Sequence, residues 1–457
     1  MFIHQTKEQL EAQLRQAKRT EGEIHYLEGL YEKNCRIDPE DFKRYDIKRG
    51  LRNANGTGVA VGLTKVAAVY GYRVEGDKKL PTTGSLTYRG YDLQDLIEGY
   101  IDNDRFGFEE VTYLLLFGKM PTERELKDFN YLVDNFRDFD TFPGDELFFR
   151  LPSSNIMNKI QRVILSMYTF DENPDDISIP NVIRQEIDII AKMPLIISYA
   201  YIAYQYHYNN KSLIVHRPQP GLSTAQNILH LIRDDSRYTD LEAKVLDLVL
   251  IVQAEHGGGN NSTFATHVVS STGTDTYSAL ATAVGSLKGP KHGGANEKVA
   301  RMVDYIRKEI GNLDDLDALE DILWRMMNKE AFDKSGLIYG MGHAIYTETD
   351  PRAELLKTRG YELALQNGHE ADFRFVMNIE KISKKLFKRK YGEDAVICAN
   401  VDLYTGLIYQ ILRIPAILYT PLFALARMSG WSAHRLEQIS DEKILRPAYV
   451  TIPQDKQ

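Results

Sequence analysis

Around residues 241–306 apolar side chains recur at helical spacing in three successive runs, and both breaks between them are glycine-rich turns carrying a histidine. Leu241, Val245, Leu248, Val249 and Val252 lead into Ala254-Glu255-His256-Gly257-Gly258-Gly259-Asn260-Asn261-Ser262-Thr263-Phe264. Leu280, Ala281, Val284 and Leu287 lead into Gly289-Pro290-Lys291-His292-Gly293-Gly294-Ala295-Asn296-Glu297, and Val299, Met302, Val303 and Ile306 form the third run. Such spacing predicts core-facing helices, with glycine and proline as their stops. Ala279, Ala283, Gly285 and Ser286 keep the middle helix thin enough for a close neighbour. His292 falls just before a helix N-terminus, whose partial positive charge disfavours imidazolium, so a neutral, hydrogen-bond-donating ring is expected there.

The same period continues from Leu93, through 108–116, from Glu123, and through 316–327, 352–366, 375–388 and 405–412, and residues 7–34 read as a charged helix. Pro194 to Tyr208 reads as a buried helix. Only Val59, Val61, Leu63, Val66 and Val69 alternate, which predicts a short strand or hairpin near the N-terminus. Strands and helices do not alternate as a parallel sheet requires. The expected fold is mainly α, a large helical domain (57–290 and 400–457) with a smaller inserted helical domain (291–399), hinged at Gly289-Pro290 and Ala399-Asn400, behind an N-terminal arm (1–56).

Bulk properties narrow the function. A chain of 457 residues that is 43% hydrophobic and 26% charged can bury a large core. Its net charge of −8 argues against nucleic-acid partners and means an anionic ligand must be met by locally gathered Arg and His. Two cysteines, Cys35 and Cys398, make no disulfide framework and fit a reducing compartment. No apolar run nears the roughly 20 residues of a membrane span. The first residues do not resemble a leader. A cytoplasmic protein without a membrane partner is the expectation.

Four further segments hold polar residues that local structure does not demand. Gly340-Met341-Gly342-His343 is either a ligand loop that brings backbone close or a helix end beside a surface histidine. Asp350-Pro351-Arg352 opens a helix with Asp as N-cap, and places a cation at its positive end. A surface Arg or a bound anion would explain it. Asp402, in Asn400-Val401-Asp402-Leu403-Tyr404-Thr405-Gly406, is either an N-cap or a desolvated carboxylate of raised proton affinity, suited to general-base work. Arg427 is the one charge in the apolar run Leu422 to Met428, and a buried guanidinium there needs a carboxylate side chain or an anionic substrate.

These segments, with Gly84-Ser85-Leu86-Thr87-Tyr88-Arg89-Gly90-Tyr91, Phe423 to His434 and Arg446-Pro447, resemble the motifs of the citrate synthase family in order, from about Val59 onward. The resemblance implies a helical homodimer whose small domain closes over oxaloacetate and completes the acetyl-CoA site. It makes His256, Asn260, Arg352 and Arg427 oxaloacetate ligands, and Arg446 one reaching in from the partner subunit. Asp402 is then the base that takes a thioester methyl proton, His292 the donor to the forming enolate and His343 the group polarising the ketone. Ile338, Gly340 and Ala344 match the CoA-adenine loop. The chemistry agrees: so weak an acid needs a desolvated base together with a donor at the oxyanion. Arg suits carboxylates because its fork binds both oxygens.

The resemblance implies no metal and no cofactor, with acetyl-CoA as substrate. The chain departs from the family pattern at Gln253, where a His is common, and at Gly257, where a Glu is usual. No basic residue stands among Ala344, Ile345, Tyr346, Thr347 and Glu348 to meet CoA phosphate, which leaves Lys357 or Arg359. The rival readings are a 2-methylcitrate synthase using propionyl-CoA and a catalytically weak regulatory relative. A metal-dependent hydrolase built on the three histidines is disfavoured by spacings that match no compact ligand motif. A nucleotide site at Gly257-Gly258-Gly259 lacks the preceding strand such a site needs.

Overall fold

Helix after helix, with one small sheet, makes up the computed structural model, which describes residues 7–76, 78–139 and 146–452. The chain forms two compact units, residues 1–60 with 447–457, and residues 61–446. In the first, the helix Lys7–Asn34 carries exposed side chains from Glu11 onward, and Asp38 caps the short helix Pro39–Arg44.

In residues 61–446, β1 (Ala67–Glu75), β2 (Lys78–Tyr88) and β3 (Tyr91–Asp92) form an antiparallel sheet in the order β1-β2-β3. Ala67 pairs with Tyr88 and Glu75 with Lys78, and the register slips between Tyr70 and Tyr72, at Gly71. The hairpin therefore starts later than the alternation from Val59 suggests, and Gly84 to Tyr88 belong to its second strand. Val61 and Leu63 are exposed, so their alternation has no apolar face to cover.

The helix Tyr419–Ile439 is the axis of the unit. It packs against the helices Phe108–Phe117, Ile179–Asn209, Asp240–Gln253, Asn261–Ser270 and Thr276–Lys288. Enclosure on all sides leaves Trp431, Arg427, His434 and Arg435 wholly buried. The 31-residue helix Ile179–Asn209 is longer than the sequence suggests and runs straight through Pro194. An interior proline costs about 3 kcal/mol, and burial of nearly every side chain from Ile187 to Ala200 offsets it. By length and composition this helix could cross a membrane, but 78% of its most apolar window is buried inside the protein.

The helices Ala295–Ile310, Leu316–Met327, Pro351–Gln366, Glu370–Tyr391 and Val401–Ile411 pack on one another. Two start earlier than the runs 375–388 and 405–412, at Glu370 and Val401. The helix Asn261–Ser270, hidden within the glycine-rich segment, was not expected.

Candidate active site

The helix Asp240–Gln253 begins with a capping box, Thr239 with Glu242, and delivers His256 at its far end. The Tyr88 hydroxyl ties β2 to that end by donating to the Ile251 carbonyl at 2.9 Å. Gly257 then turns the chain at φ +83°, a conformation that costs other residues energy. His256 is buried, its ring centroid 5.0 Å from that of His343 and 5.5 Å from that of Tyr346. Burial first, then the charges of Arg352, His343 and Arg427, hold its pKa well below the usual value, so the ring is neutral. Its Nε2 is buried without a hydrogen-bond partner.

His343 sits in a loop gripped from two sides. On one side, Gly342 N donates to the Cys398 carbonyl (2.7 Å), Asn400 N to the Gly340 carbonyl (2.8 Å) and Asn400 Nδ2 to the Gly342 carbonyl (2.9 Å). The loop is thereby joined to the N-cap of the helix that carries Asp402. On the other side the hairpin clamps the segment after His343. Thr82 N donates to Thr347 Oγ1 at 3.0 Å and Gly84 N to Thr349 Oγ1 at 2.9 Å. The approach needs glycine: a Cβ at Gly71 would stand 2.5 Å from Tyr346 Cα, and one at Gly84 2.1 Å from the Thr349 carbonyl. His343 Nδ1 accepts the N–H groups of Ile345 and Tyr346, at 3.1 and 3.2 Å, so in the neutral ring the proton is on Nε2. His343 is thus a loop residue packed on His256 and not the end of a helix.

Arg352 is buried, not a surface residue. Its Nε and one terminal nitrogen bind both oxygens of Asp350, at 3.0 and 2.8 Å, so the anion at this helix start is the helix's own N-cap. The guanidinium lies over the Tyr346 ring, 5.5 Å from its centroid. Arg427 is different. Its Nε donates to the Gln253 carbonyl at 2.7 Å, while both terminal nitrogens are buried without a hydrogen-bond partner. Burial lowers its pKa to about 10, still cationic at neutral pH. Neither carboxylate nor hydroxyl meets those two nitrogens among the described residues.

His292 Nε2 lies 3.1 Å from Ser262 Oγ, which accepts from Trp431 Nε1 at 3.1 Å and lies 2.8 Å from Asn260 Oδ1. The single Ser262 proton has two acceptors to choose from, and its position sets which nitrogen of His292 donates. Burial, then Arg427, lowers the His292 pKa to about 4, so the ring is neutral as expected. Asn260 caps the helix Asn261–Ser270 through the Ser262 N–H.

Asp402 follows the N-cap rather than being it: Asn400 Oδ1 accepts the Asp402 N–H at 3.0 Å. Its carboxylate has no hydrogen bond among the described residues. Burial raises its pKa to about 6, against the pull of Arg352 and Arg427. The charges that act on Asp402 are thus those that act on His256, and Arg427 also acts on His292.

Of the expected residues, then, His256, Arg352 and Arg427 are buried and His343, His292, Asn260 and Asp402 half-buried in one neighbourhood. Ile338 is buried, Gly340 is held at φ +85° against Leu403, and Ala344 is exposed on the same loop. Arg446 is exposed and shares no bond with the cluster. Lys357 is paired with the buried Glu380 at 3.1 Å, and Arg359 with Glu362 at 2.8 Å. Sequence reasoning missed Ser262, Trp431 and Tyr346. Their signal was position alone, two residues past Asn260, inside the Arg427 helix, and three past His343. Among the described residues no group of three or more His, Cys, Asp or Glu is placed to hold a metal ion.

Residues 54–448 match the family described as citrate synthase, C-terminal domain. A citrate synthase of Synechocystis is 33% identical over 374 residues, 81% of this chain and 86% of that protein. A 2-methylcitrate synthase of Shewanella oneidensis is 31% identical over 380 residues, 82% and 91%. Among solved structures, citrate synthase from Pyrobaculum aerophilum superposes with a TM-score of 0.72 at 29% identity, covering 87% of this chain and 92% of that one. The ternary complex of the Thermoplasma acidophilum citrate synthase with carboxymethyl coenzyme A and oxaloacetate gives 0.72 at 25% identity, covering 90% and 97%.

Proposed function

Because the chain belongs to the citrate synthase family, we propose that it condenses oxaloacetate with acetyl-CoA and water to give citrate and CoA. The observation that carries the reading is Arg427, a wholly buried cation with two terminal nitrogens unsatisfied next to a neutral His256 whose Nε2 is also unsatisfied. Leaving an ion buried and unpaired costs several kcal/mol. A planar dicarboxylate with a ketone would satisfy these groups together. Arg427 takes one carboxylate, Arg352 offers the nitrogen that Asp350 leaves over, and Asn260 and His256 hold the remainder. Arg446 of a second subunit completes the set in a homodimer.

In this reading Asp402 is the base. Burial without hydrogen bonds gives it a proton affinity near that of the working solution, which a base that must both take and release a proton requires. As Asp402 removes the methyl proton, negative charge develops on the thioester oxygen. His292, neutral, donates to it. The enolate carbon attacks the ketone of oxaloacetate while His343 Nε2–H donates to the ketone oxygen. Water then cleaves the citryl thioester. Residues 291–399 act as the small domain and close over the pair, keeping water out until carbon–carbon bond formation is complete. The loop of Ile338, Gly340 and Ala344 receives the CoA adenine.

Thiol release with oxaloacetate and either acetyl-CoA or propionyl-CoA, for the parent and Asp402→Ala, tests this. The parent is expected to turn over acetyl-CoA faster, and the variant to bind oxaloacetate without condensing it. Faster turnover of propionyl-CoA would make the chain a 2-methylcitrate synthase, a distinction worth only about 1–3 kcal/mol per methylene. No thiol release from either would make it a non-catalytic relative.

A further inference from the structure

One buried charge near the site has no part in the reaction as proposed. His434 is fully buried, and its Nε2 lies 2.9 Å from Oε1 of Glu255, itself fully buried. Glu255 immediately precedes His256, and the same Oε1 accepts the Gly257 N–H at 2.5 Å. One carboxylate oxygen therefore spans the residue that carries the imidazole. The helix Tyr419–Ile439 is cut away to admit it: a Cβ at Gly430 would stand 2.1 Å from Glu255 Oε2 and 2.5 Å from the Ala254 carbonyl.

Counting donors fixes the charge of His434. Gln438 Nε2 points to the Lys443 carbonyl at 3.5 Å, which leaves Gln438 Oε1 to accept from His267 Nδ1 at 2.9 Å. His267 thus carries its proton on Nδ1, and its Nε2 presents a lone pair 3.1 Å from His434 Nδ1. His434 must donate there, and must donate to Glu255 from Nε2. An imidazole that donates from both nitrogens is a cation. Burial opposes both charges of the pair, yet Glu255 stays lowered and His434 is raised to about 9, each held by the other. The other groups in reach are His267 on the helix Asn261–Ser270, Glu437 on the same helix as His434 with Oε2 at 3.7 Å, and Arg89 and Arg427, whose charges act on Glu255.

We propose that Glu255 and His434 are positioning residues for the ligand groups: the His434 cation holds the Glu255 carboxylate on the Gly257 peptide, fixing the His256 turn, and keeps that carboxylate from claiming Arg427. Without it the anion nearest Arg427 would be a side chain, and an incoming dicarboxylate would have to displace it. The inference rests on the oxaloacetate reading for the identity of the ligand, though not for the geometry.

The test uses the full-length enzyme, uniformly labelled with 15N-histidine, at about pH 8, where ordinary histidines are neutral. One doubly protonated imidazole is expected in the parent and none in His434→Asn. Calorimetry should show oxaloacetate affinity reduced at least about ten-fold in His434→Asn, and Glu255→Gln combined with His434→Asn should recover part of that loss, because no stray carboxylate remains. The parent's affinity should fall as pH rises through about 9, and that limb should vanish in the variant. Melting temperatures report folding separately. The proposal is overturned if every buried histidine is neutral at that pH, or if His434→Asn melts lower yet binds oxaloacetate as the parent does. The imidazolium signal needs no ligand, so a parent that condenses neither thioester would remove the functional reading while this one is still decided.

Discussion

Arg427 is kept charged in a place where the unliganded protein gains from it one hydrogen bond, to the Gln253 carbonyl, and leaves both terminal nitrogens unsatisfied. Exchanging a buried unpaired cation for an apolar side chain of similar length is commonly neutral or stabilising by about 1–4 kcal/mol. Arg427→Met is therefore expected to melt at or above the parent temperature without ligand and to lose the upward shift that oxaloacetate gives the parent. A lower melting point would mean that the hydrogen bond to the Gln253 carbonyl outweighs the cost of the buried charge. Asp402 makes a pH prediction. It works ionised, so kcat should fall as pH drops through about 6 and level off above it. Asp402→Ala should lose roughly 10²–10⁴ in kcat, the usual worth of a general base. Arg427 was legible in the sequence because a lone charge in an apolar helical run has few innocent explanations. Asp402 was legible only through family likeness, since its local pattern fits a helix cap equally well. The neutrality of His292 was expected from the helix end that follows it; burial and Arg427, which lies far along the chain, also lower its pKa and were not legible.

Among the elements, the hairpin is the one whose purpose its sequence conceals. β1 and β2 look like a minor excursion from an α fold, yet they clamp the segment between His343 and Arg352 through Thr347 and Thr349. Gly84→Ala would push a methyl into the Thr349 carbonyl, which backbone cannot evade cheaply. Overpacking of this kind costs about 1–3 kcal/mol, and the displaced loop carries His343. Activity should therefore fall well before the fold does: a large drop in kcat with a melting shift of only a few degrees, read by thiol release and calorimetry. Intact activity would show that the loop tolerates the shift. Most helices could be read from their apolar periods, and Leu316–Met327 was placed to the residue. What could not be read were the exact starts of some helices, as at Val401, where Asp402 interrupts the apolar residues, and the helix Asn261–Ser270, whose Asn and Ser promise a loop until Asn260 caps it.

For the molecule as a whole, Arg446 is exposed in the single chain, and the proposed homodimer would give it a destination. If it serves the partner's site, mixing Asp402→Ala with Arg446→Ala chains creates heterodimers in which one site has every residue intact. Random pairing should then restore about a quarter of parental activity from two inactive parents, whereas an Arg446 that acts in its own subunit would restore none. Only the family resemblance pointed to such pairing, because a contact between copies leaves no trace in the periodicity of one. The helix Ile179–Asn209 carries a different consequence. Some of its cover comes from Tyr419–Ile439, more than two hundred residues further along. While the ribosome is still translating that interval, a greasy stretch long enough to be taken for a bilayer anchor hangs incompletely shielded. Newly made chains should lean on trigger-factor-like holdases during that interval and clump when synthesis stalls before residue 419, an outcome that arrested-chain pelleting assays can register.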